Sequence, residues 1–294
     1  MTKISAIILT YNEELHLERC IQSLLKINAH IVVVDSYSTD STLEICKKHN
    51  VDIYQNTWVN HAHQINWAIN NCRFNGDWIL RIDADEYLTD QLINDINLRI
   101  NDLNHKVNGI KIKRLMYFMD KPLKRGGMYP ILHLRIWRKG KALCEQKYMD
   151  ERMYLLEGDS ITFNGDLIDH NLNNLTWWIH KHNRYASLEA IDNLDKIYGF
   201  SDNTLFKGNL FGSSEERRRW LKTKYLHMPL FVRPFLFFII RYFFQLSILE
   251  GKRGLVWTIL QCFWYRFLVD AKIAEAYHKA GKNRKALMRY FDLT

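Results

Sequence analysis

Apolar positions in the first hundred residues switch between two periods. Ile4 to Leu9 is a short apolar, β-branched run, after which Leu17, Cys20, Ile21, Leu24 and Leu25 recur at helical spacing. A second run, Ile31-Val32-Val33-Val34, precedes Ser41-Thr42-Leu43-Glu44, whose Ser-x-x-Glu spacing predicts a capping box opening a helix. Val51 to Tyr54 predicts a third strand, Ile65 to Cys72 a helix and Trp78 to Ile82 a fourth strand. Leu88, Leu92, Ile96, Ile100 and Leu103 then mark one helix face. Such alternation with short connections predicts an α/β fold, a mostly parallel sheet with helices on both faces.

From Asn108 the pattern changes. Ile110-Lys111-Ile112 and Leu132 to Ile136 alternate apolar with polar, as half-exposed strands do, and Gly126-Gly127 marks a turn between them. Trp177 to Ile197 reads as helix, and a stretch rich in Gly, Asn and Ser at 199–214 separates it from the last part of the chain. The division predicted is residues 1–200 for the α/β domain and 201–294 for a helical extension. Leu230 to Leu249 is apolar enough to raise the question of a membrane span. Arg233, Pro234, Arg241 and Gln245 interrupt it, and its longest strictly apolar run, Phe235 to Ile240, falls far short of the ~18–20 residues a span needs. Phe231, Phe235, Phe238, Tyr242, Leu246 and Leu249 fall on one face, and Val256 to Leu268 repeats the style. Aromatic faces edged by arginine suit helices lying in a bilayer interface; packing on the protein's own core is the alternative.

Charge sharpens this picture. The 294 residues carry a formal +9, but residues 201–294 hold 17 Lys/Arg against 7 Asp/Glu, so the basic character belongs to the last third. An anionic membrane surface or nucleic acid would each attract it. Residues 1–200 are slightly acidic and no recognisable nucleic-acid motif is present, which favours the membrane. Five cysteines, Cys20, Cys46, Cys72, Cys144 and Cys262, have no Cys-x-x-Cys spacing, which argues against a disulfide framework and a zinc site and suits a reducing cytosol. The opening MTKISAIILTYNEE reaches acids by Glu13 and reads as a first strand rather than a secretory signal.

The candidate chemistry lies at strand ends. Trp78-Ile79-Leu80-Arg81-Ile82 runs into Asp83, Asp85 and Glu86. In a strand, residues i and i+2 point the same way, so Asp83 and Asp85 project together while Ala84 turns toward the packed side. Open α/β sheets bind ligands at the carboxyl ends of their strands, and two adjacent carboxylates call for a cation. Oxygen-only ligation points to Mg²⁺ or Mn²⁺, ions that commonly bridge to substrate phosphates. A solvated acidic loop is the plain alternative for Asp-x-Asp alone. The first strand ends in Thr10-Tyr11-Asn12-Glu13-Glu14 and the second in Asp35-Ser36-Tyr37-Ser38-Thr39-Asp40, so three polar, acidic loops face one rim. The first strand lacks a Gly-x-Gly-x-x-Gly after it, against a dinucleotide oxidoreductase.

These segments, ILTYNEE, VVVDSYSTDST and DADE after WILRI, with Gln64-Ile65-Asn66, together resemble inverting glycosyltransferases of family 2, whose GT-A fold binds a nucleotide-sugar on such a rim. Tyr129-Pro130, Leu134 to Gly140, Asp150-Glu151-Arg152, His170, Lys181 to Ala186 and Leu249 to Gly254 look like the branch that builds lipopolysaccharide cores, O-antigens and related glycans. The resemblance implies that Tyr11 stacks on the nucleotide base and Asp35 bonds its edge. Glu13, Gln64 and Asn66 would belong to the same donor-binding set. Asp83 would contact the ribose or the metal's waters, and Asp85 the metal directly. His170 is a candidate further metal ligand or phosphate donor, and Arg135 and Lys181 are candidates to reach the diphosphate. The general base would be Glu151 or its neighbour Asp150, with Glu151 favoured. The implied partners are a nucleotide-diphosphate sugar donor, a lipid-linked saccharide acceptor and an anionic membrane surface at the cytoplasmic face of the bacterial inner membrane, with no nucleic acid. A sugar-phosphate nucleotidyltransferase shares strand-end acids and Mg²⁺, but it needs a Gly- and Lys/Arg-rich loop where this chain has TYNEE.

Overall fold

The computed structural model describes residues 4–145, 152–200 and 214–293. Two compact units divide it, Met1–Asn173 and Asn174–Thr294. In the first, β1 (Ile4–Thr10), α1 (Leu17–Leu25), β2 (His30–Asp35), α2 (Thr42–Lys48), β3 (Asp52–Gln55), α3 (His61–Asn71) and β4 (Trp78–Asp83) alternate as the apolar periods predict. Then come β5 (Glu86–Leu88), α4 (Asp90–Arg99), β6 (Val107–Phe118), β7 (Lys121–Pro122), β8 (Ile131–Arg138), β9 (Ala142–Cys144), β10 (Met153–Leu155) and β11 (Asp159–Asp169).

The main sheet runs β3-β2-β1-β4-β8-β6-β11-β5. Its first four strands are parallel; β8 runs antiparallel to both β4 and β6, and β11 lies parallel to β6. Successive side chains of a strand point to opposite faces, so the near-continuous apolar run of β1 serves two cores. Ile4, Ala6 and Ile8 pack with Leu17, Ile21 and Leu24 of α1 and with Leu92 and Ile96 of α4. Ile7 faces the other way, with Val32, Val34, Ile79, Trp137 and the α3 residues Ala62, Ile65 and Ala68. Gly165 of β11 passes so close to α4 that a Cβ there would lie 2.2 Å from the Leu92 amide nitrogen.

Two helix starts differ from the sequence reading. Leu88 ends β5 instead of opening the helix, because Thr89 caps α4 by accepting the Leu92 amide at 3.2 Å. The capping box expected at Ser41 does not form; Asp40 Oδ1 takes the Thr42 amide at 3.0 Å in its place.

The second unit contains α5 (Leu175–Tyr198), α6 (Ser214–Leu226), α7 (Val232–Ile239), α8 (Gly251–Trp257), α9 (Tyr265–Ala280) and α10 (Arg284–Tyr290). The boundary thus falls earlier than residue 200: Ala186, Ala190 and Leu194 of α5 pack on Tyr265, Val269, Ile273 and Ala276 of α9. A π-helical turn, Ile240–Phe244, extends α7, and another, Thr258–Trp264, joins α8 to α9. Between them the chain turns through Leu246, at φ 61°, and a 3-10 turn, Ser247–Glu250. Arg233, which interrupts the apolar run, is 1% exposed and paired with the equally buried Asp270. Among the described residues no single helix is long and apolar enough to cross a membrane.

Candidate functional site

Three parallel strands end side by side. Thr10 of β1 is in register with Asp35 of β2, and Leu9 with Asp83 of β4, so the two acids flank the end of β1 at neighbouring-strand spacings. Tyr11 follows directly and leaves 59% of its surface exposed. The loops after β1 and β2 are laced together: Asn12 N–H donates to Ser38 Oγ at 2.8 Å, Thr39 N–H to Asn12 Oδ1 at 2.8 Å, and Glu13 N–H to Thr42 Oγ1 at 2.8 Å. Glu14 N–H donates to Asp40. Burial opposes ionisation of Asp40, but the Thr42 hydroxyl and surrounding backbone amides outweigh it and lower its carboxyl below the ordinary value.

Asp35 is fully buried, and its carboxylate accepts from Thr10 Oγ1 at 3.0 Å, Ser38 Oγ at 2.5 Å, Ser38 N–H at 2.9 Å and Gln55 Nε2 at 3.4 Å. It organises the rim from beneath. Gln64, also buried, ties the ends of β2 and β3 by donating to Ser36 Oγ and the Asn56 carbonyl while accepting from Asn56 Nδ2. Asn66 grips Cys144 of β9 through both backbone atoms, at 2.9 Å each. Glu145 N–H donates to the Arg152 carbonyl at 2.8 Å, so the chain flanking residues 146–151 is held together at its base. Asp150 and Glu151 themselves lie outside the described residues.

The strand carrying Asp83 stops there, and Ala84-Asp85 forms a turn before β5. Pleating therefore does not align Asp83 with Asp85. Nor does Asp83 need a metal for neutralisation. Asp83 lies 3.7 Å from both Arg81 and Arg135 and 3.8 Å from His61, while Arg135 pairs with the buried Glu86 at 2.5 Å. Burial works against ionisation of Asp83, yet Arg135 and Arg81 prevail and hold its carboxyl well below the usual carboxylate range. Burial pushes Glu86 up to about 8, with Asp83 and Asp169 acting in the same direction and Arg135 against them. Arg135 thus serves the acids at the strand end, and Arg81 and His61 join a cluster that the sequence reading left without a role. Their signal was present: Arg81 is i−2 from Asp83 on one strand face, and His61 is the first residue of α3.

Asp85 has other company. Its Oδ2 accepts from Asn171 Nδ2 at 3.0 Å, and its carbonyl accepts from His170 N–H at 3.1 Å and Arg19 at 3.4 Å. Arg19, early in α1, also donates to the His170 carbonyl at 2.6 Å and lies over the Tyr87 ring. His170 Nδ1 is 3.2 Å from Arg19 Nη1, a donor, which leaves Nε2 to donate to Asp120 at 2.9 Å. The His170 ring is thus engaged by Arg19 and Asp120 in this structure rather than by the aspartate carboxylates of the strand-end turn. Glu13 is drawn to His16 at 2.7 Å, whose Nε2 in turn accepts the Leu172 amide at 2.9 Å. Lys181, on α5, caps the rings of Trp177 and Tyr185.

Among the described residues no three of His, Cys, Asp and Glu gather as a metal-holding group. Mg²⁺-type ions are commonly held by one or two carboxylates with phosphates and waters completing the shell. The half-buried Asp85 carboxylate, a hard oxygen donor at the strand-end rim, fits that requirement.

A mixed sheet with its acids and an exposed tyrosine at the ends of three adjacent parallel strands is an α/β fold of the GT-A kind. Residues 5–148 match the model of glycosyl transferase family 2, so the chain carries a domain of that family. An uncharacterised glycosyltransferase of Rickettsia typhi is 29% identical over 293 residues, covering 94% of this chain and 88% of its own. The lipopolysaccharide core biosynthesis glycosyltransferase LpsC of Rhizobium meliloti is 27% identical over 193 residues, 64% of this chain and 70% of that one. A mannosyltransferase from Pyrobaculum calidifontis, solved with GDP-Man and Mn²⁺, shares the fold at a TM-score of 0.50 with 14% identity, covering 93% of this chain and 87% of its own.

Proposed function

We propose that this chain is a glycosyltransferase that moves a hexose, with inversion, from a nucleotide-diphosphate sugar to a lipid-linked saccharide of lipopolysaccharide core, O-antigen or capsule assembly. It would act at the cytoplasmic face of the bacterial inner membrane. One observation carries the donor reading: Tyr11, the Asp35 platform and the Asp83–Asp85 turn share one sheet rim, set by the register of β1 with β2 and β4. The acceptor class is supported by the likeness to LpsC, and the membrane by the basic last third of the chain.

In this reading Tyr11 stacks on the base, while Asp35 acts through the Thr10 and Ser38 contacts that shape the loop beneath it. Asp83, kept ionised by Arg81 and Arg135, accepts from the ribose hydroxyls. Asp85, held by Asn171 and Arg19, would hold Mg²⁺ or Mn²⁺, which when bound supplies Lewis-acid stabilisation to the departing nucleoside diphosphate. The acceptor hydroxyl must lose a proton as it attacks, and a carboxylate within hydrogen-bond reach takes it. Glu151, with Asp150 beside it, is the proposed base on sequence grounds.

Screening nucleotide-sugars for thermal stabilisation and metal-dependent turnover tests the proposal. One sugar nucleotide is expected to raise Tm and be consumed only with the divalent ion. Failure of every nucleotide-diphosphate sugar to bind, with and without Mg²⁺ or Mn²⁺, would sink it.

A further inference from the structure

We infer that the helical hairpin whose arms are α7 and the continuous run from α8 through residues 258–264 into α9 dips its tip into one leaflet of an anionic lipid bilayer and returns without crossing it. This deepens the membrane placement above and rests on it. The two arms pack side by side: the Phe231 ring is 5.0 Å from Phe267, Phe235 is 5.3 Å from Phe263, and Arg233 is paired with Asp270. The chain reverses between them at residues 245–250.

The tip is built inside-out relative to a water-facing turn. Two hydroxyls at its base face inward: Ser247 Oγ, 2% exposed as a residue, lies 2.7 Å from Thr258 Oγ1, which donates to the Gly254 carbonyl at 2.7 Å. Glu250 pairs with Arg253 at 2.7 Å, and Arg241 donates to Gln245 at 2.9 Å. Gly254 permits this closure, since a Cβ there would meet the Ser247 carbonyl oxygen at 2.2 Å. Outward stand Phe243, Phe244, Leu246, Ile248 and Leu249, with Phe244 at 78% and Leu249 at 62% exposure. In hydrocarbon, backbone and polar groups must be satisfied internally, and this turn meets that demand while presenting apolar side chains.

Length sets the depth. The arm Val232–Phe244 is about 20 Å long at ~1.5 Å per residue, short of the ~30 Å hydrocarbon core. Charge selects the occupant: exposed Lys252 borders the tip, and the surrounding 201–294 region carries an excess of Lys and Arg that anionic headgroups attract and a second copy of this chain repels.

The test is flotation of the full chain with phosphatidylethanolamine–phosphatidylglycerol vesicles, followed by a high-salt wash. Salt removes binding that is electrostatic alone and leaves inserted protein in place. The wild type is expected to stay bound. Phe244→Ser and Leu249→Ser are each expected to lower the retained fraction by about tenfold, and Phe244→Leu to restore it. Circular dichroism and sugar-nucleotide binding are read on the same samples, so loss of the hairpin's membrane contact is distinguished from failure of the transferase reading. Release of the wild type by salt overturns the inference. So does undiminished retention of the Ser variants, or a wild-type dimer that those substitutions dissociate with flotation unchanged.

Discussion

Asp83 and Asp85 are two positions apart, yet they keep different company. Asp83 is neutralised by Arg81 and Arg135, while Asp85 sits in a turn steadied by Asn171 and Arg19. Asp85→Asn is therefore expected to cut transfer by roughly 100-fold or more, the order lost when electrostatic stabilisation of a leaving charge is removed, with Tm unchanged. Steady-state turnover and a melting curve check it. His133 of β8 offers a prediction in pH. Burial and the charges of Arg135, Arg114, Arg152 and Arg81 push its pKa far down from 6.5, so it stays neutral in the folded state. Below 6.5 the unfolded chain binds a proton that the folded chain refuses. This contribution to stability is present above 6.5 and is lost as pH falls, at a slope approaching about 1.4 kcal/mol per pH unit. Denaturant unfolding at stepped pH should show the slope in the wild type and its loss in His133→Gln.

At the scale of elements, α1 carries more than its apolar face suggests. Arg19 holds the carbonyls of both Asp85 and His170, joining the β4–β5 turn to the chain after β11. Arg19→Met is expected to weaken divalent-ion dependence by about 10–100-fold, as loss of a supporting partner does at metal sites, and a titration of activity against Mn²⁺ reads it. In the helical unit, the Arg233–Asp270 pair is buried with a further bond from Arg233 to the Leu226 carbonyl. Arg233→Met alone leaves Asp270 uncompensated and should cost roughly 3–5 kcal/mol in urea unfolding, whereas Arg233→Met with Asp270→Leu should recover most of it.

Across the whole molecule, a bound donor should stabilise the folded state. At a hundredfold excess over Kd the gain is about 2.7 kcal/mol, enough to raise Tm by several degrees, and EDTA should erase the part that depends on the ion. The first four strands and their helices were legible because a doubly covered parallel sheet writes near-continuous apolar runs, as in Ala6–Leu9 and Ile31–Val34. The rim was legible for the same reason, since strand ends locate loops. What failed was local: Leu88 carried the helix period but paired as β5, and α5 was assigned to the 1–200 domain while its Ala186–Ala190–Leu194 face fits α9.

The sequence by itself determined the alternation of strands and helices, the acids at three strand ends and the basic aromatic character of the last third, because hydrophobic period and charge are properties of neighbours along the chain. Only the tertiary structure decided who partners whom. Arg135 reaches Glu86 across 49 positions, Asn171 reaches Asp85 across 86, and Arg19 occupies His170 across 151, so that a histidine which looked like a ligand is engaged elsewhere. Such assignments follow from strand order and loop closure, which bring together side chains that no local period relates.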